Sequence, residues 1–134
     1  MRKLLVLLSP LLILGCQTWE PTWSEVSGSR YYNLTTLNRW PAIITGIDDH
    51  GAFRTKGIYR RDTVKVEPGR HEITVQGTLP GWTGPDLETI VLTLEPCKRY
   101  YINAQYPGPI QPRFTPIVDY VEDIAGCKIV TAAK

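Results

Sequence analysis

The residues with the most distinctive chemistry in this chain are three cysteines and two histidines. Catalysis by a histidine needs a partner, and a zinc-type metal site needs three or four converging ligands. His50 follows Asp48 and Asp49, and three consecutive side chains fan out from a turn, which makes a poor cation cage. His71 follows Arg70 at the start of a predicted strand, and the sequence offers it no evident catalytic partner. Nucleophile-elbow, phosphate-loop and metalloprotease motifs are missing. The sequence therefore predicts no enzyme, no metal and no cofactor.

Cys16 stands directly after an apolar run that extends from Leu4 to Leu14. As a helix this run would cover about 16 Å, whereas a bilayer core is about 30 Å thick. A short apolar run behind two basic residues is typical of a secretory signal. The ending Ile13-Leu14-Gly15-Cys16 resembles a bacterial lipobox. The resemblance implies cleavage before Cys16 and acylation of Cys16 with palmitate-like chains, which together anchor a protein stably. The alternative is an ordinary signal with a cysteine nearby.

Removal of residues 1–15 as a lipoprotein signal peptide leaves roughly 120 residues, enough for one domain. We expect a lipidated tether and lead-in segment over 16–38, one β domain over 39–131, and a tail over 132–134. In lipoproteins of this type an Asp after the cysteine favours the inner membrane, so Gln17 favours the outer membrane, facing the periplasm. Trp19 and Trp23 either lie at the lipid interface or pack on the domain.

Cys97 and Cys127 are the two cysteines left once Cys16 carries lipid. An even pair in an oxidising compartment predicts a disulfide. The alternative is two buried free thiols.

Two features of the predicted loops could bind a ligand or a partner. Arg54, Lys56, Arg60 and Arg61 form a basic segment that either contacts anionic lipid or polymer or keeps a hairpin edge solvated. Trp82 lies in a Gly/Pro-rich loop, where it either meets a partner or folds back and closes the core.

Alternating apolar residues predict strands along the rest of the chain. In the clearest run, Leu87 to Leu94, Ile90 and Leu92 share one face while Val91 points to the other. In the same way Tyr100 and Tyr101 should divide between core and surface. Trp40 enters a predicted strand and should pack on the core. The remaining predicted strands are Ala42 to Ile47, Thr63 to Val66, the run around Ile73 and Val75, Tyr100 to Ala104, Ile117 to Glu122, and a short last one at Cys127 to Val130.

Two similar turns, Glu67-Pro68-Gly69-Arg70 and Glu95-Pro96-Cys97-Lys98, separate strand pairs. Pro suits the first central position of a tight turn, so we expect two hairpins of one type, joined by Gly77 to Pro85. No window has a sustained helical period with caps. About seven short strands predict an all-β fold, a small antiparallel β-sandwich of immunoglobulin or prealbumin type.

The stretch from Ile43 to Tyr106 resembles the PEGA-like domains and related small bacterial envelope lipoproteins. The residues that carry the resemblance are Gly46-Ile47-Asp48, the phrase Val64-Lys65-Val66-Glu67-Pro68-Gly69-Arg70-His71, and Lys98 to Ile102. The resemblance implies a β-sandwich accessory module without catalytic residues. This chain departs from that pattern in its Pro-rich segment Pro107 to Pro116 and in its cysteine pair.

The charge balance excludes a nucleic-acid binder of the usual kind. The chain has 15 basic and 13 acidic residues, and loss of Arg2 and Lys3 with the signal leaves the two signs equal. With 43% hydrophobic and 21% charged residues the chain is not disordered. We expect a non-catalytic binding module for an envelope protein, and no small-molecule ligand. The alternatives are a periplasmic inhibitor of a cell-wall-degrading enzyme, acting through Pro107 to Pro116, and a glycan or cell-wall binder.

Overall fold

A computed structural model describes residues 22–28, 38–48, 63–78, 86–109 and 113–129. These residues form one seven-stranded sheet and contain no helix, so the predicted all-β class and strand number are confirmed. None of the described segments is a helix long and apolar enough to cross a bilayer. The strands are β1 (Ser24–Ser27), β2 (Arg39–Ile47), β3 (Thr63–Val66), β4 (Gly69–Gly77), β5 (Leu87–Leu94), β6 (Lys98–Gln105) and β7 (Thr115–Asp123).

The sheet runs in the order β3-β1-β6-β2-β4-β5, and β7 pairs with the other edge of β6. Only β1 and β6 are parallel; every other pair is antiparallel. Strand β2 changes its partner at Pro41: residues 39–41 pair with β6, and residues 42–47 pair with β4. Because proline has no N–H to donate to a ladder, the change of partner falls where the first ladder cannot continue.

Side chains from strands on both sides of this change of partner bury one common core. Ile44, Ile73 and Ile102 are fully buried, and they come from β2, β4 and β6. Trp40 is half-buried and packs against this cluster, as predicted. The remaining members of the core are Val26, Ala42, Ile47, Val75, Leu94, Tyr100, Ala104, Tyr106 and Phe114.

The prediction of two short hairpins is wrong. Strands β3 and β4, on either side of Glu67-Pro68, do not pair with each other, and neither do β5 and β6, on either side of Glu95-Pro96. The true hairpins are β4–β5 and β6–β7, which pair along their length across longer connections. Proline and a positive φ make the chain turn sharply, but they do not decide whether the next strand returns to the last one or crosses to another part of the sheet. At both Glu-Pro turns the chain crosses to another part of the sheet. The pairing of Gly69 with Leu94 places the two turns side by side.

The sheet begins earlier than residue 39, inside the segment predicted to be a tether. Ser24 and Ser27 of β1 are fully buried, and the hydroxyl of Ser24 donates to the carbonyl of Glu95 at 2.7 Å. A buried serine with a hydrogen-bond partner costs little, but it leaves no hydrophobic pattern in the sequence. At the other end, residues 127–129 form no strand, so within the described part the last predicted strand is wrong.

Candidate functional site

Strands β3, β5 and β7 each pair with one described neighbour and so lie at edges of the sheet. An unpaired edge invites association with another strand, and proteins usually protect such edges with shortness, charge, proline or bulges. Strand β3 has only four residues and carries the exposed Lys65. Strand β7 contains Pro116, and its register with β6 shifts at Asp119. Both edges therefore carry ordinary protection.

Strand β5 has the weakest protection of the three edge strands. It spans eight residues, pairs with β4 in unbroken register from Leu87 to Leu94, and contains no proline, lysine or bulge. Its one charged residue is Glu88. Among the described strands it also approaches β7, but the two form no ladder. This edge is the least protected part of the described sheet.

The hydrogen bond between Gly77 N–H and the Asp86 carbonyl, 3.3 Å, fixes which way the β5 backbone faces. In an antiparallel ladder, bonded and non-bonded residue pairs alternate along the strand. Gly77 and Asp86 form one such bonded pair, so the bonded pairs that follow along the ladder contain the even-numbered residues of β5. The N–H and C=O groups of these residues point toward β4. The N–H and C=O groups of the odd-numbered residues point away from β4, toward the open edge. These residues are Leu87, Thr89, Val91 and Thr93.

The side chains of the same odd-numbered residues lie on the outer face of the sheet. Leu87 is 53% exposed and Val91 is 47% exposed, two of the five large hydrophobic residues that are exposed in the described part of the chain. On the inner face Ile90 and Leu92 pack against the core and Leu94 is buried, as the alternation predicts. No described strand pairs with this edge, which thus combines outward-pointing backbone groups with an uncharged, partly apolar row of side chains.

A disulfide closes the end of the domain where the two Glu-Pro turns lie. The sulfur atoms of Cys97 and Cys127 are 2.06 Å apart and their Cα atoms 5.4 Å apart, so the predicted pair is confirmed. Cys97 N–H donates to the carbonyl of Trp23 at 2.9 Å, and the Cys97 carbonyl accepts from Ile124 N–H at 2.9 Å. Cys97 therefore joins the segment before β1, the start of β6 and the segment after β7.

Trp23 packs on the domain, which settles one of the two alternatives for this residue. Its indole N–H donates to the Glu25 carboxylate at 2.9 Å, and the Lys65 ammonium lies 4.5 Å from its ring centroid. Such a cation–π contact is worth about 0.5–1 kcal/mol where it is exposed. Trp19 lies outside the described residues.

An ion-pair network crosses β1, β6 and β7 on the face opposite the core. The Arg99 guanidinium donates to Glu25 at 2.6 Å and to Glu122 at 2.7 Å. The Tyr101 hydroxyl donates to the same Glu122 oxygen at 2.6 Å, and the Tyr101 ring lies 6.2 Å from that of Tyr120.

Tyr100 and Tyr101 face opposite sides as predicted, but both are buried, so the expectation of one surface tyrosine is wrong. No pattern of residues indicated that polar partners would cover the Tyr101 ring.

These contacts shift two ionisation equilibria. Burial lowers the pKa of Arg99, but hydrogen bonds with Glu25, Tyr101 and Glu122 outweigh it, so the net pKa lies above the ordinary value. Burial raises the pKa of Tyr101 above 10.0, and its hydrogen bond to Glu122 adds to the rise. The network favours a neutral tyrosine and a charged arginine at every physiological pH.

The raised pKa of Tyr101 predicts a loss of stability in alkaline solution. A group whose pKa is higher in the folded than in the unfolded state stabilises the fold fully below its unfolded pKa, near 10, and loses that contribution as pH rises through the folded pKa. Each pH unit inside this window costs up to about 1.4 kcal/mol. We expect Tyr101→Phe to flatten the fall in unfolding free energy above pH 10, measured by urea titration. Tyr120→Phe is the matched control, and an equal flattening by both variants would contradict the prediction.

His71 is held by acceptors on both ring nitrogens. Nδ1 lies 2.5 Å from the Asp48 carboxylate and Nε2 lies 2.7 Å from the Glu67 carbonyl. The second Asp48 oxygen accepts from Glu72 N–H at 2.9 Å. With both nitrogens engaged by the protein, neither is available to a substrate. This geometry connects the end of β2 to the β3–β4 turn, so His71 has a structural role.

Several residues singled out in the sequence fall outside the described part of the chain. They are Cys16, Asp49, His50, Arg54, Lys56, Arg60, Arg61 and Trp82. Of the Pro-rich segment Pro107 to Pro116, residues 110–112 are also outside it. Phe114, in the described part of this segment, is buried, with its ring centroid 5.5 Å from that of Tyr106. The described residues contain no group of three or more His, Cys, Asp or Glu side chains placed to hold a metal ion.

The described residues define a disulfide-closed all-β domain with one weakly protected edge strand. No protein-family model, no curated protein and no solved structure matches this chain.

Proposed function

We propose that this protein is a lipid-anchored component of the bacterial envelope, and that it acts as a non-catalytic binding module for a protein partner. The observation that carries the proposal is the open edge of β5, with four residues whose backbone groups point away from β4 and with exposed Leu87 and Val91. A row of unpaired N–H and C=O groups is complementary to the backbone of another extended chain. The lipobox-like ending at Cys16 supports the anchor, and Gln17 supports the placement in the outer membrane, facing the periplasm.

The finer fold in this proposal is a two-layer β-sandwich of the kind found in PEGA-like domains. The change of partner at Pro41 supports it, because it divides the sheet into two groups of strands that share one core. In this arrangement β1, β3, β6 and β7 form one layer, and β4, β5 and the second part of β2 form the other.

The anchor is tested by replacing Cys16. We expect Cys16→Ala to abolish incorporation of labelled palmitate in cells and to leave an uncleaved precursor, because the lipid is attached through the cysteine sulfur. Gln17→Ala is the matched control and should be labelled and processed normally. Palmitate labelling that survives Cys16→Ala would refute the anchor.

The binding function is tested by placing a photo-crosslinking amino acid at Val91 in the full chain, in intact cells. We expect a discrete protein adduct from position 91, because a strand paired with β5 would cover that side chain. Lys65, which is exposed on the short edge strand β3, is the control position. A failure to form any protein adduct at position 91, or identical adducts at both positions, would count against the module.

A further inference from the structure

The exposed hydrophobic residues of β5 are arranged symmetrically. Leu87 and Val91 lie on the same face at equal distances from Thr89, and Thr89 is one of the residues whose backbone faces the open edge. A two-fold axis through Thr89 that pairs two β5 strands antiparallel places Leu87 of each copy opposite Val91 of the other. An interface of this kind is self-complementary, which is what a two-fold dimer requires.

From this symmetry we infer that the strand received by β5 is the β5 strand of a second copy of this chain. The inference rests on the proposed function, since it names the partner of the same edge. Thr89 faces Thr89 of the second copy as a hydrogen-bonded pair, and threonine pairs are favourable across strands. Burial of Leu87 against Val91 twice per dimer removes from water the exposed apolar side chains of this edge.

Charge does not oppose this pairing. The four residues that face the edge are uncharged, and the one charge of the strand, Glu88, lies opposite Ile90 of the second copy rather than opposite another Glu88. Like charges directly across a ladder would disfavour the pair, and here none meet. Anchoring of both copies to one membrane would further raise their effective concentration.

The experiment places single cysteines in the full chain in intact cells and joins them with a short bifunctional maleimide. Two differently tagged versions are expressed together, so that a homotypic product carries both tags. We expect Thr89→Cys to give a product of twice the chain mass with both tags, because the two Thr89 Cα atoms would lie about 5.5 Å apart. Thr93→Cys is the matched control, on the same strand and face. Its two copies would lie about 27 Å apart, so it should give at least tenfold less product.

Val91→Lys in the Thr89→Cys background tests the apolar contact. Because Val91 is half-exposed on the outer face, the lysine leaves the core of one copy intact but puts a charge opposite Leu87 of the other. We expect the homotypic product to fall at least tenfold.

Three results would overturn the inference: no product from Thr89→Cys, equal product from Thr93→Cys, or an adduct that carries one tag and a different protein. The last of these would leave the proposed binding function in place, because it would identify another partner for the same edge. The proposed binding function itself fails if photo-crosslinking at Val91 captures no protein, or captures the same proteins as Lys65.

Discussion

Loss of the Cys97–Cys127 disulfide is expected to lower the free energy of unfolding by about 3.6 kcal/mol. The bond spans a sequence separation of 30 residues, and closure of a loop of that length restricts the unfolded chain by about this amount. The measurement is urea unfolding of the full chain in detergent, with the bond intact and after reduction. A shift of less than about 1 kcal/mol would show that the bond closes a region already held by other contacts.

The double variant Cys97→Ala/Cys127→Ala supplies the control, because reductant should no longer change its stability. Cys97 has a φ of 59°, in the left-handed region that costs an L-residue about 1 kcal/mol. Cys97→Gly/Cys127→Ala should therefore be more stable than the double alanine variant, by roughly 1 kcal/mol. If glycine brings no gain, the turn relaxes once the bond is lost.

Removal of the Arg99 side chain charge is expected to cost about 3 kcal/mol. Arg99 pairs with Glu25, whose side chain is only 7% exposed, while Arg99 itself retains 25% exposure. Breaking a buried ion pair on one side costs about 3–5 kcal/mol, and the partial exposure of Arg99 places this case at the low end. We expect Arg99→Met to show this loss in urea unfolding.

Two comparisons separate the charge effect from lost packing. Adding Glu25→Gln to Arg99→Met should recover at least about 1 kcal/mol, because the uncompensated carboxylate is gone. Lys98→Met breaks the exposed pair with Asp123, at 2.5 Å, and should cost much less than Arg99→Met, because water screens an exposed pair. If Lys98→Met and Arg99→Met cost the same, the burial of Glu25 does not matter energetically.

A strand such as β5 was predictable because one of its faces is turned to the core and the other to solvent. In β5 the apolar residues Ile90, Leu92 and Leu94 recur at every second position, and the structure buries that face. The disulfide followed from the even number of cysteines that remain once Cys16 is set aside. Both inferences depend on local pattern or on counting, which a single sequence supplies.

Strand pairing was not predictable in the same way. The two Glu-Pro turns look like hairpin turns, yet each crosses the sheet, because turn chemistry fixes a bend and the core fixes the partner. Strand β1 was not predicted because its buried positions include Ser24 and Ser27, whose burial depends on hydrogen bonds rather than hydrophobicity. The open edge of β5 is itself a consequence of pairing, although its signal, a long strand with uncharged outward residues and no proline, was present in the sequence.

The point where the chain enters the domain limits how the protein can stand on a membrane. The Thr22 hydroxyl donates to the carbonyl of Lys128 at 3.2 Å, so the chain enters beside the disulfide. From the lipid proposed on Cys16, the backbone would reach Thr22 over at most about 22 Å. In an antiparallel pair of β5 strands the two disulfide ends point in opposite directions. Two copies anchored in one membrane would therefore pair with their strands lying along its surface, whereas copies with upright strands could pair only across a gap between two facing membranes.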